Sequence, residues 1–187
     1  MKKAMVSEND PLLRRQIAGI VEECGFDEIL ETDNGRRAVE LAGRQEILLV
    51  VMDADNPAMD GITAAERIGR VRPVPIVLLT SSVASETLER ARLAGIMNCV
   101  AKPICPDQLR IAIDLAIHQF VELAGLRDEV TRLKETLETR KLVERAKGVL
   151  MKKGMDEPAA FRRLQKLAMD KRRSLREIAE AVLLMEE

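Results

Sequence analysis

The most informative segment of this chain is Ile47-Leu48-Leu49-Val50-Val51-Met52-Asp53-Ala54-Asp55-Asn56-Pro57-Ala58-Met59-Asp60-Gly61. An unbroken apolar run before a carboxylate is typical of a strand that is buried on both faces. Asp53 is therefore predicted at the carboxyl end of a central strand, where open α/β sheets bind ligands. Pro57 and the Asp60-Gly61 pair predict a turn beside it. A carboxylate in this position can be chemically modified, hold a metal ion, or do both, and Asp55 is a second candidate.

The composition indicates a chain with a hydrophobic core. Its 187 residues are 47% hydrophobic and 33% charged, which leaves room for one domain of ordinary size and a smaller module. No apolar run approaches the roughly eighteen residues of a membrane span, and the first residues do not resemble a signal peptide. We therefore expect a cytoplasmic protein with no membrane partner. The three cysteines lack metal-like spacing and His118 is the single histidine, which argues against a zinc site or a Cys–His catalytic pair.

Charge is distributed unevenly along the chain. Residues 1–118 carry 14 Lys+Arg against 18 Asp+Glu, a net charge of −4. Residues 140–176 carry 13 Lys+Arg against 4 Asp+Glu, a net charge of +9. This asymmetry predicts an anionic partner for the C-terminal part, and the alternative is a solvated helical face.

Short apolar runs alternate with amphipathic segments over residues 1–118. The apolar runs predict five strands at residues 4–6, 28–30, 47–52, 76–79 and 99–101. The amphipathic segments predict helices at residues 12–24, 36–42, 62–71 and 86–94, with C-caps at Gly25, Gly43 and Gly95. Strands that alternate with helices predict an α/β domain with a doubly wound, five-stranded parallel sheet.

A long helix is predicted after Pro106 and Asp107. Its apolar residues follow the 3-4-3-4 spacing of a coiled-coil seam: Leu123, Leu126, Val130, Leu133 and Leu137. We interpret residues 119–139 as a helical linker that pairs with a second chain. The alternative is one helix packed on its own domain, and the polar flanks of the seam argue against it.

After Thr139 the pattern predicts a small bundle of three short helices over residues 140–187. The first stops at Gly154, and Asp156 is a favourable N-cap for the second. Ser174 opens the third, and Glu177 completes a capping box.

Polar residues stand where four of the predicted strands end, and these ends converge in a doubly wound sheet. They are Glu8-Asn9-Asp10 after the first strand, Asp53 on the third, Thr80 on the fourth, and Lys102-Pro103 after the fifth. The oxygen atoms near the first and third strands suit Mg²⁺. The hydroxyl and the ammonium group could bind phosphoryl oxygens once a phosphoryl group had been transferred.

On these residues, the N-terminal part resembles a response-regulator receiver domain. The match rests on the acidic cluster after strand one, the segment from Asp53 through Pro57 to Gly61, Thr80, and Lys102-Pro103. The resemblance implies a flavodoxin-like fold and phosphotransfer from a sensor histidine kinase to Asp53. It also implies Mg²⁺ held by Glu8, Asn9, Asp10 and Asp53, with Thr80 and Lys102 reading out the acyl phosphate.

Two positions depart from the receiver pattern. The family usually has two adjacent acids after strand one, and here Asn9 stands at the second. It usually has an aromatic residue on strand five, and here that residue is Cys99. The first departure bears on metal affinity, and the second bears on switching.

The C-terminal part resembles an ANTAR domain, an RNA-binding antitermination module. The resemblance rests on Arg140–Met151, especially Ala146-Lys147-Gly148, on Glu157–Leu164, on Leu167–Asp170 with Ala168-Met169, and on Ser174–Ala179. It implies binding to tandem hairpins in leader transcripts as a dimer, which prevents a terminator hairpin from forming.

Basic residues are the candidate RNA contacts, although ordinary solvated charge explains most of them equally well. They are Arg140, Lys147, Lys152, Lys153, Arg163, Lys166, Lys171, Arg172 and Arg173. RNA loops are usually read by stacking aromatics, but Phe161 lies on an apolar stripe and is interpreted as core. Arg172 and Arg173 are then the candidates for stacking, and Gly148 is interpreted as a site of close helix packing.

The sequence therefore predicts a phosphorylation-dependent response regulator, not an enzyme, that acts as a transcription antiterminator through leader-RNA hairpins and dimerises on activation. One alternative is a DNA-binding regulator, although residues 154–158 match poorly to a short turn before a recognition helix. The other is a phosphohydrolase that uses Asp53 and Asp55 as nucleophile and acid, as haloacid-dehalogenase-type enzymes do. That signature normally lies on the first strand, and here it follows the third.

Overall fold

The computed structural model describes residues 1–82 and 84–185. Its Cα packing divides the chain into two compact units, Met1–Ala124 and Gly125–Glu187. Within the described ranges, no helix has the length and apolar content needed to cross a bilayer.

The first unit is built on five parallel strands. In chain order these are β1 (Lys3–Ser7), β2 (Glu28–Thr32), β3 (Leu49–Asp53), β4 (Ile76–Thr80) and β5 (Asn98–Ala101). They are ordered β2-β1-β3-β4-β5, so the predicted doubly wound sheet is confirmed. The central strand β3 is buried at every residue. It starts two residues later than predicted because Leu48, which is 44% exposed, lies outside the paired strand.

Helices cover both faces of this sheet. They are α1 (Pro11–Glu23), α2 (Gly35–Arg44), α3 (Gly61–Val71), α4 (Ser85–Leu93) and the start of α5 (Pro106–Lys152). Alternate residues of a strand point to opposite faces, and accordingly Leu49 and Val51 join one core cluster while Val50 and Met52 join another. The sheet therefore fixes Asp53 at its carboxyl edge between two packed layers.

Two of the three predicted glycine C-caps are confirmed. Gly25 and Gly95 adopt positive φ angles of 90° and 78° one residue beyond the last turns of α1 and α4, a conformation that glycine adopts without a Cβ penalty. The predicted cap at Gly43 is wrong, because α2 continues through that glycine to Arg44 and ends at Gln45 in an extended conformation.

The long helix α5 is continuous from Pro106 to Lys152. The predicted end of this helix near Thr139 is therefore wrong, and the first helix of the predicted bundle is the last part of α5. Every predicted seam residue is at least 40% exposed: Leu123, Leu126, Val130, Leu133 and Leu137.

In the second unit, α6 (Glu157–Lys171) and α7 (Leu175–Leu184) pack with the end of α5. The core of this unit is formed by Val143, Ala146, Leu164, Ile178 and Ala179.

Both predicted caps in the second unit are present. Asp156 Oδ1 accepts a hydrogen bond of 2.7 Å from Ala159 N at the start of α6. Ser174 and Glu177 form the reciprocal capping box that opens α7. The last two residues of the predicted bundle, 186 and 187, lie outside the described residues.

Candidate functional site

Three charged side chains meet at the carboxyl edge of the sheet. Lys102, just after β5, places Nζ 2.8 Å from Glu8 Oε2 and 2.9 Å from Asp53 Oδ1. Both carboxylates are almost completely buried, at 2% and 4% exposure. A single ammonium group therefore neutralises part of two buried negative charges, and we call Glu8, Asp53 and Lys102 the acidic triad.

The electrostatics of the acidic triad keep Lys102 charged. Burial alone would lower the pKa of Lys102, but its hydrogen bond to Glu8 and the negative charges of Asp53 and Glu8 outweigh burial and raise that pKa above its ordinary value. An ammonium group held in this way is positioned to bind an anionic group attached to Asp53.

Asn56 is a site residue that the sequence reasoning did not single out. It is 5% exposed, and its Nδ2 donates to the backbone oxygens of Asp53 at 2.8 Å and Ser7 at 3.3 Å. These bonds join the loop after β3 to the end of β1. The sequence carries no clear signal for this role, because Asn56 stands beside Asp55 and Pro57 in a polar loop and its burial depends on the folded structure.

Three buried oxygen atoms at this edge have no hydrogen-bond partner among the described residues: Ser7 Oγ, Asp53 Oδ1 and Asn56 Oδ1. Lys102 is within ion-pair distance of Asp53 Oδ1 but does not align with it as a hydrogen-bond donor. Buried oxygens without donors are unfavourable unless a ligand satisfies them. They provide the oxygen-rich surroundings that a hard cation such as Mg²⁺ prefers.

The structure does not bring all the predicted metal ligands together. Asp10 Oδ1 accepts hydrogen bonds from Leu12 N and Leu13 N, so this oxygen caps α1. Asn9 is exposed beside it. Within residues 1–82 and 84–185, no three His, Cys, Asp or Glu side chains form a metal-binding group. The available donors are therefore Glu8 and Asp53, supplemented by neutral oxygens such as that of Asn9.

Gly61 fixes the start of α3 against the phosphoacceptor candidate. Its N–H donates to Ala54 O at 2.9 Å, and a Cβ added here would collide with the backbone oxygen of Asp53. The preceding residue, Asp60, caps α3 by accepting from Thr63 N at 3.0 Å. The Asp60-Gly61 pair therefore determines how closely α3 approaches Asp53.

Thr80 ends β4 as predicted, but its hydroxyl is engaged in its own loop. Oγ1 donates to Ser82 O at 2.9 Å and accepts from Ser82 N at 3.1 Å. Thr80 is 2% exposed. In this structure its hydroxyl would have to leave Ser82 O before it could donate to a group on Asp53.

Cys99 lies on β5, at the position where receiver domains usually have an aromatic residue. It packs against a small cluster that includes Leu78 and Ala91, and burial raises the pKa of its thiol. A cavity of about 280 Å³ lies beside Cys99, lined also by Gln108 and Ile111.

In the second unit, Lys147 is held inside the protein. It is 8% exposed, and its Nζ lies 3.0 Å from Glu144 Oε2 and 2.6 Å from Glu157 Oε1. Hydrogen bonds to Glu157 and Glu144 raise the pKa of Lys147. The ammonium predicted as an RNA contact is therefore engaged with two carboxylates of its own chain.

Two further interpretations in this unit are wrong. Phe161, interpreted as core, is 37% exposed, because α6 turns only part of the ring towards its neighbours. Gly148, interpreted as a close-packing position, has no atom within 4 Å of an added Cβ. Its missing side chain is therefore not required by packing in this structure.

The remaining predicted RNA contacts all lie on the exposed surface: Arg140, Lys152, Lys153, Arg163, Lys166, Lys171, Arg172 and Arg173. Arg173 pairs with Glu177 at 2.9 Å. Arg172 ends α6 with a φ angle of 51°, a left-handed conformation that is costly for a residue with a Cβ.

Two family models together match most of the chain. The response regulator receiver domain matches residues 4–114, and the ANTAR domain matches residues 131–183. The chain is also 44% identical over 183 residues to the transcriptional regulatory protein PdtaR of Mycobacterium tuberculosis, an alignment that covers 97% of this chain and 89% of that protein.

Solved structures share the fold of the first unit. A CheY-like response regulator receiver domain protein from Methanospirillum hungatei JF-1 has a TM-score of 0.60 at 19% identity, covering 65% of this chain and 98% of its own. The receiver domain of a sensor histidine kinase from Pseudomonas aeruginosa PAO1, solved with a magnesium ion coordinated in its active-site cleft, has a TM-score of 0.56 at 25% identity. It covers 63% of this chain and 98% of its own.

Proposed function

Because the chain belongs to the response regulators that join a receiver domain to an ANTAR domain, we propose that it is a phosphorylation-dependent transcription antiterminator that binds hairpins in leader RNA. This family consists of regulators, so the phosphohydrolase alternative is excluded. The observation that carries the proposal is the acidic triad: a buried Asp53 carboxylate at the edge of the sheet, with a lysine ammonium already beside it.

The proposed modification is a phosphoryl transfer onto Asp53. A carboxylate oxygen of Asp53 attacks the phosphorus of a phosphohistidine on a sensor histidine kinase. The new P–O bond forms as the P–N bond breaks, and the bonding electron pair returns to the imidazole nitrogen of the kinase. Lys102 then pairs with the phosphoryl oxygens, a charge-assisted contact that is stronger than a neutral hydrogen bond.

The oxygen atoms around Asp53 suit Mg²⁺, but they carry less negative charge than the ligands of a receiver domain with two adjacent acids after strand one. We assign its binding to Asp53, Glu8 and Asn9, and leave Asp10 out because it caps α1. When bound, Mg²⁺ supplies positive charge that offsets the charge of the phosphoryl group. Because Asn9 is neutral, we expect weaker Mg²⁺ binding than two adjacent acids would give.

Phosphorylation offers Thr80 a new acceptor. Its hydroxyl now donates to Ser82 O, and an anionic phosphoryl oxygen is a stronger acceptor than a backbone carbonyl. The proposed switch is the exchange of that hydrogen bond, which releases the loop after β4 and changes the surface beside α4.

The proposed RNA-binding part is the basic bundle over residues 140–187, joined by the helical linker over residues 119–139 to the receiver over residues 1–118. Its supporting observation is the net charge of +9 over residues 140–176, since phosphate attraction dominates nucleic-acid affinity. The exposed lysines and arginines of the bundle remain the proposed contacts, and Lys147 is left out because two carboxylates of its own chain hold it.

The decisive experiment measures binding of hairpin RNA with and without a small-molecule phosphoryl donor in the presence of Mg²⁺. We expect the donor to raise the affinity of the full chain by about 5- to 150-fold, the usual range for coupled sites. The Asp53→Asn variant should bind with the unphosphorylated affinity under both conditions. Equal responses of the two proteins to the donor would contradict the proposed switch.

The same assay separates RNA from DNA as the target. Duplex DNA of the same length, measured at the same salt concentration, reports the charge-driven binding common to all nucleic acids. We expect hairpin RNA to bind more tightly than this duplex. Preferential binding of duplex DNA would instead support the DNA-binding alternative.

A further inference from the structure

A cavity of about 580 Å³ opens on the second unit beside Phe161. Arg132 and Arg140 of α5 contribute guanidinium groups to its lining, and Thr136 and Thr139 contribute hydroxyl groups. Its size falls within the roughly 300–1,000 Å³ typical of small-molecule sites. Glu135 and Glu144 also line it, so the cavity combines an aromatic ring, hydrogen-bonding groups and charges of both signs in one place.

Phe161 is the single aromatic residue in residues 125–187, because the other two phenylalanines are Phe26 and Phe120 and the chain has no Trp or Tyr. At 37% exposure its ring is only partly covered by the protein. An exposed aromatic ring that lines a cavity is available to stack against a flat ligand.

The ring of Phe161 is also held in position. Lys147 places its ammonium group over the ring, 6.0 Å from the centroid. That ammonium is itself fixed by Glu144 and Glu157. Lys147 thus acts as a positioning residue, and a ring that is ordered before binding loses less conformational entropy when a ligand stacks on it.

The ion pairing of the lining bears on the ligand chemistry. Glu144 is paired with Lys147, whereas the ion pairs among the described residues of this unit include neither Arg132 nor Arg140, so both guanidinium groups are available to phosphates. Single-stranded RNA is recognised by this combination of arginine and an aromatic stacking surface.

The surface expected to pair with a second copy of the chain is the apolar seam of α5, not the cavity. The apolar seam residues Leu126, Val130, Leu133 and Leu137 are exposed on α5, and none of them lines the cavity. The seam and the cavity lining are therefore made of different residues.

We propose that this cavity binds one unpaired base of an RNA loop. The base stacks on Phe161, the hydroxyl groups of Thr136 and Thr139 contact its edge, and Arg132 and Arg140 bind the flanking phosphates. This proposal rests on the proposed RNA-binding function and specifies where an RNA base is held.

The first test uses Phe161→Trp in the full chain, treated with the phosphoryl donor. Because the chain has no other Trp, its fluorescence reports on this position alone. The probe is a pool of tandem hairpin RNAs with identical stems and randomised loops. We expect RNA to quench the fluorescence, since a stacked base contacts the indole ring. The matched control is Met169→Trp, on the same helix, 79% exposed and outside the cavity, which should be quenched much less.

The second test separates stacking from charge. Phe161→Leu should lower RNA affinity by about 5- to 150-fold, the equivalent of one stacked base, with no change in the dependence of affinity on salt. Arg140→Gln should lower affinity and also reduce the salt slope by about 1, as expected for one lost phosphate contact. Both variants should retain the thermal transition of the wild type.

Different failures have different meanings. If no form of the chain prefers hairpin RNA over loop-free duplex RNA, the proposed function fails and the base site fails with it. If the wild type binds RNA and Phe161→Leu binds equally well, the base site alone is overturned. A change in Phe161→Trp fluorescence with protein concentration, in the absence of RNA, would show that a second chain fills the cavity and would also overturn the proposal.

Discussion

Two lysines make the same arrangement in the two units of this protein. Lys102 joins Glu8 to Asp53, and Lys147 joins Glu144 to Glu157. In each case one compact ammonium group lies within 3.0 Å of an oxygen atom on each of two carboxylates. The planar guanidinium group of arginine has a different donor geometry, so replacement of either lysine by arginine would not conserve its contacts.

Ala58 adopts a left-handed backbone conformation in the loop after Asp53, with a φ angle of 63°. This conformation costs a residue with a Cβ roughly 1–2 kcal/mol, whereas glycine adopts it freely but loses more entropy on folding. We therefore expect Ala58→Gly to raise the free energy of unfolding by up to about 1 kcal/mol. Urea denaturation of both proteins measures the difference, and a loss of stability would contradict the assigned conformation.

Gly61 is required by the backbone of Asp53 rather than by its own φ angle. A Cβ at this position would meet the Asp53 backbone oxygen, so Gly61→Ala should destabilise the protein by roughly 1–3 kcal/mol and slow phosphorylation of Asp53. The matched control is Gly69→Ala on the same helix, where an added Cβ meets no atom within 4 Å. That change should stabilise α3 by up to about 1 kcal/mol. Urea denaturation and labelling with a phosphoryl donor measure both effects, and similar behaviour of the two variants would contradict this account.

At the scale of elements, Asp60 links the start of α3 to α4 through Arg90, which lies 3.3 Å away. Burial acts to raise the pKa of Asp60, but hydrogen bonds from Thr63 and the charge of Arg90 outweigh it, so the pKa lies below its ordinary value of 3.8. The stabilisation from the Asp60 charge is therefore complete above about pH 3.8 and is lost as the pH falls through the lower folded-state pKa.

This linkage predicts a pH-dependent effect of Asp60→Asn. The asparagine still caps α3 but removes the negative charge that Arg90 contacts. We expect the variant to be less stable than the wild type at neutral pH and the difference to shrink as the pH falls below about 3.8. Unfolding free energies measured across this range test the prediction, which a constant difference would contradict.

The elements that were predicted most accurately are those whose own sequence indicates their structure. The apolar run of β3 and the capping residues Asp156 and Ser174 determine their structure within a few positions. The predicted end of α5 near Thr139 failed because no glycine, proline or cap stops the helix there. The predictions for Phe161 and Lys147 were wrong for another reason. The exposure of each side chain depends on which neighbouring helix covers it, and that contact cannot be read from the sequence.

The site shows the same division between local and long-range information. The positions of Asp53, Thr80 and Lys102 at strand ends followed from the strands themselves. The hydrogen bond of Thr80 to Ser82, the use of Asp10 as a cap, and the bonds from Asn56 depend on loop conformation. Loop conformation is set by competing hydrogen bonds of similar strength, and composition alone does not choose among them.

At the scale of the whole molecule, the exposed seam on α5 predicts assembly. We expect phosphorylated chains to dimerise through Leu126, Val130, Leu133 and Leu137, because apolar stripes at this spacing are covered by pairing of two helices. Leu133→Glu should weaken the dimer by at least about tenfold, which corresponds to 1.4 kcal/mol.

Analytical ultracentrifugation of the phosphorylated protein measures this effect. Thr131→Glu is a suitable control, since Thr131 is exposed on α5 but is not part of the seam. It adds the same charge and should leave the dimer unchanged. Equal dissociation constants for the two variants would locate the dimer interface elsewhere.

For the proposed phosphorylation-dependent regulator, the exposed seam also bears on how steeply the response rises with the signal. If two chains must meet to cover the seam, the law of mass action makes the amount of dimer rise with the square of the phosphorylated chain while dimers are scarce. Doubling the kinase output would then quadruple the RNA-binding species. A low level of stray phosphorylation would leave transcription almost unaffected, and a sustained stimulus would cross a threshold that is set by the number of copies of this protein in the cell.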